Sequence, residues 1–146
     1  MRSLTQKLTG KSVDLGLLII RLGIGLIFVL VYGLTKLKGG AQLWQGLGGS
    51  MSVLGITFAP TFWGLMATLS EFLGGICIVT GILFRPACAF MMFTMAIAVM
   101  TGISTGHGLN PHPLELFFVF TGLILSGPGR FTVWNLIQRI RRSNND

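Results

Sequence analysis

From Thr61 to Leu83 the chain is apolar except for one charge, Glu71, which sits in the run Ala67-Thr68-Leu69-Ser70-Glu71-Phe72-Leu73-Gly74-Gly75. A helix of that length reaches across a hydrocarbon core of about 30 Å. A carboxylate near its middle costs roughly 2.5–3.5 kcal/mol to insert, so such a group turns to the inside of a bundle and takes a partner. Arg21 is the one basic residue inside the first apolar stretch, which makes it a candidate partner for Glu71.

Three more apolar stretches give the fold class. The expected spans are residues 13–35, 61–83, 86–105 and 113–127, in one integral membrane domain covering 1–146. Only 10% of the residues are charged and 51% are hydrophobic, against about 25% charged in a soluble domain. The expectation is an all-α bundle of four transmembrane helices with little outside the membrane. The basic residues before the first stretch resemble those of a signal peptide. The stretch is too long and has no small-residue cleavage site, so it reads as a retained helix.

Residues 39–59 are too apolar for a solvated loop and too rich in glycine for a span. An interfacial or re-entrant segment fits, with Trp44 near the headgroups. Pro60 opens the second span, and Arg85-Pro86 forms a tight hairpin into the third. The fourth span is short, so the segment from His107 to His112 should dip inward beside a vestibule. In the tail, residues 131–142 put Val133, Trp134, Ile137 and Ile140 on one helical face, with Arg139, Arg141 and Arg142 mostly elsewhere. That pattern suits a helix lying on anionic lipid.

The net charge of +7 sits at the ends of the apolar runs, which reads as a topology signal and argues against nucleic acid as a partner. Arg2, Lys7, Lys11, Arg85, Arg130, Arg139, Arg141 and Arg142 fall on one side, and Lys36 and Lys38 on the other. The positive-inside rule then places both termini in the cytoplasm. With that topology Glu71 and Glu115 both lie roughly 18 Å above the inner boundary and Arg21 roughly 12 Å above it. The three groups are expected to share one layer. One carboxylate would stay ionised against the guanidinium, and the other could take up and release protons. The same residues could instead be an ion pair that only fixes helix register.

His107 and His112, with Glu115 three residues beyond, are expected to line the outer vestibule and bind a ligand headgroup. No third ligand accompanies them, so no metal is expected. Cys77 and Cys88 form no Cys-x-x-Cys motif and read as space-filling residues in helices.

Several runs resemble one family. Arg21-Leu22-Gly23-Ile24-Gly25-Leu26-Ile27-Phe28 with Gly33-Leu34-Thr35-Lys36-Leu37 is similar to the first span of DoxX membrane proteins. Glu71-Phe72-Leu73-Gly74-Gly75 with Gly81-Ile82-Leu83-Phe84-Arg85 resembles their second span and arginine hairpin. Glu115-Leu116 followed by Ser126-Gly127-Pro128-Gly129-Arg130-Phe131-Thr132 resembles their fourth span and its end. The resemblance implies a four-helix protein of the bacterial inner membrane, with Arg21, Lys36, Glu71, Arg85 and Glu115 at the family's charged positions. It also implies a link to quinone oxidoreductases and a redox partner subunit. The leading expectation is a quinone-linked oxidoreductase component. Glu71 and Glu115 would manage protons, and Arg21, Lys36, Arg85, His107 and His112 would bind the ligand. The alternatives are a small-molecule or proton-coupled transporter, for which four short spans imply a homo-oligomer, and a membrane anchor for a partner.

Overall fold

A computed structural model describes residues 4–143. Arg2 lies outside the described residues, and the side chains of Lys7 and Arg139 lie outside the described side chains. Helix α1 (Leu4–Ile27) runs on through a π-helical turn (Phe28–Gly33) into α2 (Leu34–Lys38), then α3 (Gly40–Gly48) and a 3-10 turn (Gly49–Leu54). After these come α4 (Pro60–Thr80), α5 (Phe84–Ser104), α6 (Pro111–Ser126) and α7 (Val133–Ser143). No strand occurs among the described residues. Three stretches are long and apolar enough to cross a membrane: Gly10–Lys38, Pro60–Thr80 and Phe84–Ser104. Pro111–Ser126 is a shorter apolar helix.

The helix ends follow from local chemistry. Pro60 and Pro111 sit in first turns, where no backbone N–H is needed. Asn110 caps α6 through its Oδ1, which accepts the His112 N–H at 3.2 Å. Gly81 closes α4 in the left-handed region, and its N–H donates to the Cys77 carbonyl at 2.8 Å. Leu83 follows with φ 48°. The chain therefore reverses within a few residues before Arg85, as the hairpin reading expects.

Helix α4 is the axis of the bundle. Gly25 lies against Gly75 and Val79, Gly33 against Phe72, Trp44 against Gly64, and Gly48 against Pro60. Residue numbers rise on one side as they fall on the other. The first helix therefore runs antiparallel to α4, and α3 carries the same run along the other half of it. The segment expected at the interface is thus a helix packed on α4. Its approach is backbone to backbone: a methyl group on Gly48 or Gly64 would overlap the carbonyl of Pro60 or Trp44. The Trp44 indole N–H donates to the Lys36 carbonyl at 2.9 Å. Trp44 thus adds a second donor to a carbonyl at the end of α2 that also accepts the Gly39 N–H at 3.3 Å. Phe28, Ile78, Met91 and Phe120 are the buried centre of the packing between α1, α4, α5 and α6.

Candidate functional site

Arg21 and Glu71, expected to pair, are apart. Arg21 is wholly buried and is bonded only to carbonyls. Its Nε donates to Ile78 O at 2.9 Å and Nη2 to Val79 O at 2.9 Å. Its Nη1 donates to Pro128 O at 2.7 Å and Phe131 O at 2.8 Å. Ile78 and Val79 belong to the last turn of α4, where carbonyls lack intrahelical partners and the helix dipole favours a cation. The guanidinium therefore caps α4 and ties it to the Gly-Pro-Gly turn after α6. Its charge also lies 5.6 Å from the centre of the Phe84 ring.

Lys36 is the partner of Glu71. Its Nζ lies 2.6 Å from both carboxylate oxygens, but hydrogen-bond geometry is met only at Oε1. The one ammonium thus holds both oxygens, and Oε2 is buried with no second donor. The Glu71 side chain is 3% exposed and that of Lys36 25%. Glu71 is eleven residues past Pro60 and nine before Thr80, so the pair sits midway along α4. Lys36 thus lies in the last turn of the stretch Gly10–Lys38 and there meets the middle of α4. The chain breaks at Gly39 and Gly40, and α3 then packs along the other half of α4.

The pair lines a cavity of about 880 Å³. Phe28 and Tyr32 come from the π-helical turn, Trp63, Met66 and Cys77 from α4, Phe90 and Met95 from α5, and His112 and Leu116 from α6. The rim includes Met66, Leu73, Phe90 and Phe93, all exposed on the outside of the bundle along α4 and α5. The Tyr32 hydroxyl and His112 Nε2 are 3.0 Å apart at the α6 end. The Trp63 indole N–H is buried in the wall without an acceptor. The cavity thus combines an apolar body, one ion pair and the Tyr32–His112 contact at one end. Sites that bind small ligands have this character.

The structure brings Lys36, Glu71 and His112 to this cavity, and leaves Arg21, Arg85, His107 and Glu115 outside it. Glu115 is exposed on α6 and joins neither Arg21 nor Glu71, because its turn of the helix presents it to the outside of the bundle. Arg85 is exposed at the tip of the α4–α5 hairpin. His107 is exposed too, with Nδ1 2.9 Å from the Thr105 hydroxyl. The vestibule near His112 is present as the end of the cavity, where Asn110 and His112 line it. Among the described residues no cluster of three His, Cys, Asp or Glu side chains could hold a metal. Both cysteines are free thiols, Cys77 at the cavity and Cys88 buried. Trp63 is the wall residue that sequence reasoning missed. Its signal was a polar-tipped aromatic eight residues before the buried carboxylate on the same helix.

Among known families, the one described as DoxX matches residues 16–104. No curated protein and no solved structure matches the chain.

Proposed function

The chain belongs to the DoxX family, and we propose that it acts in the bacterial inner membrane as the quinone-binding component of an oxidoreductase. The observation that carries this reading is the buried Lys36–Glu71 pair in a large apolar cavity whose rim is exposed where lipid tails would lie. A quinone supplies two-electron chemistry coupled to two protons, with the electrons coming from a redox partner subunit. Lys36 holds one oxygen of the head with the ammonium donors that Glu71 does not use. Glu71, its charge balanced by Lys36, accepts or returns a proton at the head. The apolar walls from α4 and α5 take the tail and exclude water, which strengthens each polar contact inside. Tyr32 and His112 link this end of the cavity to the exposed start of α6.

The proposal includes cytoplasmic termini and assembly with further copies or a partner. The test uses protein purified into lipid nanodiscs with a short-tailed quinone as probe. Binding is expected, and Glu71→Gln and Lys36→Met should each weaken it at least tenfold. Wild-type protein that binds no quinone overturns the reading. So do membranes whose thiosulfate- or thiol-dependent quinone reduction is untouched by Glu71→Gln.

A further inference from the structure

We propose that α7 is an anchor for anionic phospholipid: its apolar face beds into the bilayer surface, and the arginines of its last turn bind lipid phosphates. Successive residues of Val133–Ser143 turn by about 100°. Val133, Leu136, Ile137 and Ile140 therefore share one face, with Trp134 and Arg141 side by side at its edge. Asn135, Gln138 and Arg142 take the opposite face. Trp134, Leu136 and Ile140 are each more than half exposed, and α7 has no extended packing against another helix. An apolar row of that kind is unfavourable in water, and acyl chains cover it.

The root of the helix is fixed at the depth where that surface lies. Arg21 donates to the carbonyls of Pro128 and Phe131 as well as to those of Ile78 and Val79, so the chain entering α7 is tied to the last turn of α4. Thr132 is buried there, where a methyl group on Gly81 would meet it, and its hydroxyl accepts the Asn135 N–H at 3.2 Å. Helix α4 is long and apolar enough to cross the membrane, so its end marks the boundary between acyl chains and headgroups. Helix α7 starts from that boundary. Charge selects the kind of lipid. Among the described residues Asp14 is the only carboxylate at this end, and it pairs with Arg130 at 3.5 Å. Lys11 and Arg85 are exposed beside it, Arg141 and Arg142 are exposed at the end of α7, and none of the four forms an ion pair among the described residues. Lipid phosphates without a balancing amine supply the missing anion, level with the polar face of a half-sunk helix.

The test is amide hydrogen exchange of the full chain in nanodiscs that hold one copy each, made of phosphatidylcholine alone or mixed with phosphatidylglycerol. The α7 amides are expected to exchange more slowly in the anionic discs, while those of α4 keep one rate in both. At about fivefold per arginine near an anionic surface, Arg141→Gln combined with Arg142→Gln should remove roughly 25-fold of that protection. Salt at about 1 M should remove most of it in the unaltered chain. Both substitutions leave the bonds at the root of α7 in place, so the bundle should fold as before. Ile137→Glu, which puts a charge on the apolar face, should speed α7 exchange in either lipid. Equal α7 protection in the two lipids overturns the proposal, as does anionic-lipid protection that survives both the arginine substitutions and salt. Protection that appears only in discs holding two copies also overturns it, because a second chain then covers the face.

Discussion

Replacing Arg21 with alanine strips four carbonyls of a charged donor in a fully buried place. Ile78 and Val79 lose the cap on α4, and Pro128 and Phe131 lose the tie that holds the turn after α6. Hydrogen bonds from a charged group contribute about 1.5–3 kcal/mol each. Their plain sum overshoots, since the desolvation of the guanidinium is recovered when it is removed. Removing one member of a buried charged arrangement costs about 3–5 kcal/mol in practice, which we take as the magnitude here. At about 2–4 °C per kcal/mol, the midpoint of thermal unfolding should fall by roughly 10 °C. Size-exclusion chromatography after heating, in nanodiscs, measures it. Arg21→Lys should recover about half, because one ammonium cannot span carbonyls on two segments. The critical comparison is a cycle with Glu71→Gln. Ile78 is seven residues beyond Glu71, roughly 10 Å along the axis, and the two side chains share no partner. Their effects should add within about 0.5 kcal/mol. A midpoint unchanged by Arg21→Ala, or a coupling above about 1 kcal/mol, refutes the capping account.

Three further outcomes follow from the same geometry. Gly64→Ala should force α3 off α4 and cost at least about 2 kcal/mol as overpacking. Gly23 has nothing within 4 Å of the place an added methyl would take, so it should accept alanine at no loss; the yield of folded protein separates the two. Glu71→Gln and Lys36→Met should each destabilise by about 3–5 kcal/mol, and the double variant by less than their sum, when unfolding is followed in the same lipid. Glu115→Gln should leave quinone affinity within about twofold, since the side chain is exposed and outside the cavity.

Much of the architecture was legible because a bilayer leaves few choices. Apolar length, Pro60 and the Arg85 hairpin marked helix ends, whereas α6 begins at Pro111, ahead of the expected start at 113. Which charges meet was not legible. The partners of Arg21 are backbone carbonyls, which have no side-chain signature, so the eye goes to the acidic residues instead. Lys36 looked like a boundary charge because the glycine-rich stretch after it hides a helix that extends the run along α4. Glu115 shares a depth with Glu71 on paper. Depth does not fix the direction in which a helix points a side chain, and here it points away.

The turn from Phe28 to Gly33 is wound with five-residue spacing, where an ordinary helix would use four. Such a turn holds one residue more than its neighbours need. Were the same residues wound as a regular α-helix, everything beyond the turn would rotate by about 100°. Lys36 would then swing off the carboxylate, while Arg21, lying before the turn, would keep its carbonyls. That one surplus residue therefore sets the phase between the anchored half of the first helix and its ligand-facing half.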